Sequence, residues 1–153
     1  MKQFTLSALV AGVALLAGQA HADLVFPGGA CATAIDHDFP VVLDGTASIG
    51  GDASEDVVLT CPVPKTNNST AGIASGTVRV RATNANLSSC AMRALTQYGS
   101  VLSGQSVAIT TVNQPVYLNV GDSVTAGAMY GYYALSCALS GGSRLYGYRY
   151  REN

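Results

Sequence analysis

Short runs in which apolar and polar residues alternate, each ended by Gly, Asn, Ser or Pro, constrain this chain more than any other feature of its sequence. Val78 and Val80, for example, alternate with Arg79 and Arg81. A period of two places one face of a β-strand in the core and the other in solvent. No stretch of ten or more residues after position 22 has the apolar spacing of an amphipathic helix. The sequence therefore predicts an all-β fold.

Seven or eight such runs, with no helix to cover a parallel sheet, predict an antiparallel β-sandwich of jelly-roll or immunoglobulin-like type with two sheets packed face to face. One predicted strand contains Val57, Leu59 and Cys61, and we expect Pro62 and Pro64 to end it. A polar loop is expected over Thr66–Gly76.

Two further runs, Ser106–Val112 and Val116–Val120, predict strands of ordinary length. The last two predicted strands, Tyr133–Leu139 and Arg144–Arg151, are separated by Gly141-Gly142. This spacing favours a β-hairpin.

The N-terminus has the three parts of a secretory signal peptide: Lys2, the apolar run Phe4–Ala17, and the small residues of Ala20-His21-Ala22. The apolar run is shorter than the roughly 20 residues of a membrane-spanning helix, and no second such run follows. We therefore expect residues 1–22 to be removed. Residues 23–153 are then one secreted or periplasmic domain with no membrane span.

All four cysteines follow the predicted cleavage site, and an even number in an exported chain favours two disulfides. Their spacing lacks the close pairs of zinc or redox sites. Three pairings are formally possible. Cys90 and Cys137 both lie at core-facing positions of predicted strands, so we predict that they pair and that Cys31 pairs with Cys61.

From Cys61 onward the chain resembles a group of small secreted bacterial proteins that share a spaced pattern of cysteines and tyrosines. The matching segments include Cys61-Pro62-Val63-Pro64, Ser89-Cys90, Tyr132–Leu139 and Leu145–Glu152. The resemblance implies an exported β-sandwich with a disulfide between the strands of Cys90 and Cys137. It carries no activity across, because these are residues that a fold requires.

Charge excludes one class of partner. Without its first 22 residues the chain has seven basic and nine acidic side chains, with a single lysine and scattered arginines. Binding to the phosphates of nucleic acid depends on clustered Lys and Arg. We therefore expect no nucleic-acid partner.

Candidate chemistry is sparse. His37 is the only histidine after the signal peptide, so a hydrolase would have to use it together with nearby acids, and no G-x-S-x-G signature accompanies it. Aspartates at one end of a sandwich can bind calcium through their oxygens, although the EF-hand order is absent. The weak calcium candidates are Asp36, Asp38, Asp52 and Asp56, and no other cofactor is indicated.

Tyrosines supply the most specific hypothesis for a site. Period-two alternation predicts that Tyr146, Tyr148 and Tyr150 share one side of the last strand. In solvent, such a stripe would suit stacking on sugar rings or anchoring of a partner protein. The opposite side carries Arg149 and Arg151, which are poor core residues, so polarity favours burial of the tyrosines.

By elimination, the sequence favours an exported, non-enzymatic binding or cell-envelope structural module whose partner is an extracellular glycan or protein. One alternative is an extracellular hydrolase that uses His37 and nearby acids. Another is an inhibitor or toxin-like effector that presents the disulfide-braced loop Lys65–Gly76 to a target protein.

Overall fold

The computed structural model describes residues 23–33, 41–43, 45–50, 56–66, 70, 72–122, 124 and 129–153. The predicted signal peptide lies outside the described residues. Within them, no helix is long and apolar enough to cross a membrane.

The described chain consists of strands and two short 3-10 turns, Gly28–Ala30 and Ala85–Leu87. The eleven strands are β1 (Leu24–Pro27), β2 (Ala32–Thr33), β3 (Val41–Leu43), β4 (Thr46–Ser48), β5 (Asp56–Val63), β6 (Ile73–Arg81), β7 (Ser89–Leu95), β8 (Val101–Ala108), β9 (Val116–Asn119), β10 (Tyr132–Ser140) and β11 (Arg144–Glu152).

Two antiparallel sheets contain all of these strands. The first has six strands in the order β3-β4-β11-β6-β9, with β1 also paired to β11, and the second has the order β2-β5-β10-β7-β8. The buried side chains of both sheets form a single apolar cluster. The predicted antiparallel β-sandwich with two disulfides is confirmed. The alternation of Phe39, Val41 and Leu43 in the sequence predicts β3. The sequence does not predict β1, β2 and β4, each of two to four residues.

Period-two alternation decides which side chains reach the core. In β6, Val78 and Val80 are fully buried and Arg79 between them is exposed. In β10, Leu135 and Cys137 are likewise fully buried. The solvent-facing and core-facing sides of β6 and β10 are therefore correctly predicted.

Both disulfides lie within the second sheet and have the predicted pairing. Cys90 of β7 and Cys137 of β10 are bonded and are directly opposite each other in the strand register. Cys31 immediately precedes β2 and is bonded to Cys61 of β5. Each bridge therefore links two neighbouring strands of one sheet rather than the two sheets.

The predicted hairpin between the last two strands is wrong. β10 is already paired on both edges, by β5 and β7, so β11 crosses to the other sheet and pairs with β6, β1 and β4. The turn at 141–143 accordingly runs between the sheets, with Gly142 at a φ of +79°. The sequence signal marks a tight turn but does not specify which sheet receives the next strand.

Hydroxyl groups satisfy one another where this turn is buried. Ser140 and Ser143 are fully buried, and their hydroxyl oxygens are 3.2 Å apart. The Thr83 hydroxyl donates to the carbonyl of Gly141 at 2.6 Å and is 2.9 Å from the Ser140 hydroxyl oxygen. Buried polar atoms that are hydrogen-bonded in this way avoid a desolvation penalty.

Several strand boundaries also differ from the prediction, and β8 ends at Ala108, before the predicted end at Val112. β5 continues through Pro62, which is opposite Ala134, because a strand tolerates proline where no ladder bond needs its missing N–H. β6 begins at Ile73, inside the predicted loop, and β8 begins at Val101, before the predicted start.

Removal of the Cys90–Cys137 bridge tests its contribution to the fold. We expect the Cys90→Ala/Cys137→Ala double variant to lower the free energy of unfolding by about 4 kcal/mol, because the bridge closes a 47-residue separation in the unfolded chain. Urea unfolding measures the change. The matched control, Cys31→Ala/Cys61→Ala, should also be destabilised, since its separation of 30 residues is only moderately shorter. A loss below about 1 kcal/mol for the first variant would contradict the prediction.

Candidate ligand-binding groove

A β-bulge in β11 separates the three tyrosines of the predicted stripe. Leu145 is opposite Val80 of β6 and Gly147 is opposite the next residue, Arg79, so Tyr146 is an extra residue without a partner. An extra residue reverses the alternation along the strand. The prediction that all three tyrosines share one side is therefore wrong: Tyr148 and Tyr150 face the core, and Tyr146 lies on the other face.

Tyr148 and Tyr150 are core residues that connect the two sheets. Their exposed fractions are 2% and 1%, and Phe26 stacks on both rings at centroid distances of 5.2 and 6.0 Å. The Tyr148 hydroxyl donates to the carbonyl of Pro62, and the Tyr150 hydroxyl donates to the carbonyl of Pro64. These rings are almost wholly withdrawn from solvent and connect the two sheets, so Tyr148 and Tyr150 do not form an exposed stripe with Tyr146.

Glu152 forms a third contact between β11 and the same segment, with the direction of donation reversed. It is buried, and its carboxylate accepts a hydrogen bond from the backbone N–H of Thr66 at 3.1 Å and another from the Thr66 hydroxyl. Alternate residues of β11 thus bond to alternate residues of the 62–66 segment. We refer to these three pairs, Tyr148–Pro62, Tyr150–Pro64 and Glu152–Thr66, as the inter-sheet clamp.

Burial raises the pKa of the two clamp tyrosines and of the nearby Tyr133. Desolvation raises the pKa of Tyr148 to about 12. Desolvation, followed by the negative charge of Glu152, raises the pKa of Tyr133 to about 12 and raises that of Tyr150 as well. The hydroxyls are therefore neutral donors across the physiological range.

The outer face of the first sheet, which is the side away from the core, carries a groove of about 450 Å³. Arg79 lines this groove, with the guanidinium carbon 5.0 Å from the ring centroid of Tyr146 and 5.6 Å from that of Tyr117. Tyr117 is 69% exposed. The lining residues are Val25, Phe26, Pro27, Thr77, Arg79, Tyr117, Tyr146, Gly147, Tyr148 and Arg149, and we call this the outer groove.

Strand register brings the central residues together. Tyr117 of β9 is opposite Arg79 of β6, and Arg79 is opposite Gly147 of β11. Gly147 is required there, because a Cβ would lie 2.8 Å from the carbonyl oxygen of Phe26 in β1. The guanidinium lies within cation–π distance of both rings, and this attraction favours their observed arrangement beside Arg79.

Most of the predicted catalytic and calcium candidates cannot be placed. His37, Asp36, Asp38 and Asp52 lie outside the described residues. Asp56 is exposed at the start of β5. In the part of the chain that the structure describes, no three metal-ligating side chains gather at one point.

The loop predicted for an inhibitor is partly described. Residues 67–69 and 71 lie outside the described residues, Thr66 is bonded to Glu152, and residues from Ile73 onward belong to β6. The described ends of the Lys65–Gly76 segment are thus held by the clamp and the sheet.

Tyr117 is not among the site residues predicted from the sequence. Its signal was present, because Tyr117 alternates with the apolar residues Val116 and Leu118 and so occupies the wet side of a strand. The register that sets it beside Arg79 involves two strands far apart in sequence.

Comparison with solved structures finds distant similarity. The CBM86 xylan-binding module of Roseburia intestinalis is 10% identical, with a TM-score of 0.49 and coverage of 86% of this chain and 96% of that chain. CsCBM6-3 of Clostridium stercorarium, solved with cellobiose, is 16% identical, with a TM-score of 0.46 and coverage of 87% and 95%. An Arthrobacter globiformis T6 isomalto-dextranase solved with panose is 13% identical, with a TM-score of 0.43 and coverage of 84% and 23%. No protein-family model and no curated protein sequence matches the chain.

The raised tyrosine pKa values predict an alkaline loss of stability. The folded chain holds these protons more tightly than the ordinary value of 10.0, so their contribution is complete below about pH 10 and is lost as the pH rises towards about 12. Tyr148→Phe should lower the free energy of unfolding at pH 8 by about 1–3 kcal/mol, because the Pro62 carbonyl loses its donor. The same variant should lose less stability than the wild type between about pH 10 and 12.

Urea unfolding at a series of pH values measures both effects. Tyr98→Phe is the matched control, since Tyr98 is 86% exposed and distant in sequence from the clamp. Identical pH profiles for wild type and Tyr148→Phe would contradict the role given to the Tyr148 hydroxyl.

Proposed function

We propose that this protein is an exported, non-enzymatic binding module that takes an extracellular glycan into the outer groove. The observation that carries the proposal is the row of Tyr117, Arg79 and Tyr146 across three neighbouring strands, with the guanidinium against both rings. Two aromatic rings and a fixed multidentate donor on an open sheet face form a binding surface rather than a core.

Sugar rings match such a surface because they combine an apolar C–H face with hydroxyl groups at the edge. Tyrosine offers an apolar ring and a polar hydroxyl, so it can stack on the sugar face without losing its contact with water. Arg79 can then donate to sugar oxygens, and Thr77 beside it lines the same groove. A mostly apolar lining with a few fixed polar groups is typical of ligand sites.

The groove favours binding over hydrolysis. Among its described lining residues there is no carboxylate, imidazole or thiol, the groups that most often transfer protons or attack substrates. All four cysteines are in disulfides, so none can provide a thiolate.

Export is part of the proposal. Two disulfides are expected of a protein that folds in an oxidising compartment, and the N-terminal signal pattern agrees with that location.

Single tyrosine variants test the groove. Tyr146→Ala and Tyr117→Ala should each weaken glycan binding about tenfold, because each removes one stacking surface of the size that aromatic anchors contribute. Affinity electrophoresis against a panel of polysaccharides identifies a retained glycan, and calorimetry then measures the loss. Tyr98→Ala is the matched control, as it removes an exposed ring elsewhere in the chain.

Undiminished binding by both groove variants would place the glycan site elsewhere. Retention of no glycan by the wild-type protein would overturn the proposal itself.

A further inference from the structure

Arginine is concentrated on one face of this sandwich. The sequence has six arginines, and five of them are in β6 or β11 of the first sheet, namely Arg79, Arg81, Arg144, Arg149 and Arg151. Alternation directs them away from the core: Arg79 and the three of β11 are exposed and Arg81 is half-buried. The chain as a whole has a formal charge of −1. The positive charge of this face therefore comes from where the arginines lie and not from an excess of basic residues.

Two of these arginines are directly opposite each other in the sheet. Arg81 is directly opposite Arg144 in the β6–β11 register, and like charges at opposed positions destabilise a sheet. The Nε atom of Arg81 is buried and has no hydrogen-bond partner. A cationic row that is unfavourable in the free protein gains stability when an anion binds beside it.

Of the four described acids, three lie away from this row. Glu152 faces the core and is bonded to Thr66, and Asp56 belongs to the second sheet. Asp122 accepts a hydrogen bond from Asn119 at 2.6 Å beyond the end of β9. Asp23 precedes β1 and, because Leu24 is opposite Tyr150, lies level with Arg151, so it can offset at most that one arginine.

The positive row continues the outer groove. Arg79 and Arg149 line the groove, and Arg149 is opposite Thr77 and Val25, which line it too. Arg151 is two residues further along β11, about 6.8 Å away. A polymer that stacks on the groove tyrosines therefore passes next to several guanidinium groups at once.

We infer that the ligand of the outer groove is an acidic polysaccharide, with carboxylate or sulfate groups on its sugar rings. The inference rests on the proposed function and specifies its ligand class. Tyr117 and Tyr146 stack on the rings, while Arg79, Arg149 and Arg151 bind the acidic groups. Guanidinium binds carboxylate and sulfate oxygens through paired N–H donors, which a neutral sugar cannot exploit.

Matched pairs of probes test the charge alone. Polygalacturonate is compared with its fully methyl-esterified form, and dextran sulfate with dextran, at about 50 mM and about 500 mM salt, since screening shortens the reach of exposed charges. We expect the acidic member of at least one pair to bind at least about tenfold more tightly at low salt and to lose that advantage at high salt.

Arginine variants locate the effect. Arg149→Gln/Arg151→Gln should weaken binding of the acidic probe about tenfold, the effect expected when charge-assisted hydrogen bonds are lost. Arg93→Gln is the matched control, because Arg93 is exposed on β7 of the second sheet and should bind within about twofold of wild type.

The outcomes separate the two proposals. Equal binding of acidic and neutral probes, lost in Tyr146→Ala but not in Arg149→Gln/Arg151→Gln, would overturn the acidic ligand and retain the glycan-binding groove. Binding of duplex DNA as tight as that of the acidic glycans, unaffected by Tyr146→Ala, would show general polyanion attraction and would overturn both. Failure of all four probes to bind would overturn the acidic ligand, while retention of another neutral polysaccharide would keep the glycan-binding proposal.

Discussion

The bulge at Tyr146 is the constraint on which the rest of the structure depends. One extra residue between Leu145 and Gly147 reverses the alternation of β11, so the strand presents different chemistry to each side of its sheet. Inward, Tyr148 and Tyr150 donate their hydroxyl protons to proline carbonyls of the opposite sheet and the segment that follows it. Outward, Tyr146 joins Arg79 and the groove. Without the bulge, the stacking ring and the clamp tyrosines would compete for the same face.

Covalent bonds link strands within one sheet, whereas non-covalent contacts, including the clamp, join the two sheets. Both disulfides lie within the second sheet, so they do not fix its position against the first. The two sheets are instead held together by apolar packing and by the three hydrogen-bonded pairs between β11 and residues 62–66. Pro62 and Pro64 accept these bonds through their carbonyls, which are the only hydrogen-bonding groups of a proline backbone. Because the clamp side chains of β11 face the core, the outer face of the sheet can carry exposed rings and positive charge.

Sequence reasoning succeeded where one strand contains all the information. The inward positions of Val78, Leu135 and Cys137, the sandwich and the disulfide pairing follow from local alternation and cysteine count. It failed where the answer depends on which strands become neighbours. Gly141-Gly142 predicts a tight turn, but the occupied edges of β10 send β11 to the other sheet. Tyr146 reads as one of three equivalent tyrosines because a bulge leaves no clear trace in a single sequence, and Tyr117 meets Arg79 only through sheet register.

Tyrosine nitration by tetranitromethane, mapped by mass spectrometry with and without a saturating glycan ligand, tests the sorting of the tyrosines most directly. The account predicts that Tyr117 and Tyr146 are nitrated in the free protein and protected when the ligand is bound, and that Tyr148 and Tyr150 are unmodified in both states. Nitration of Tyr148 and Tyr150 together with Tyr146 in the folded protein would show that the three share one exposed side, and would contradict both the clamp and the groove.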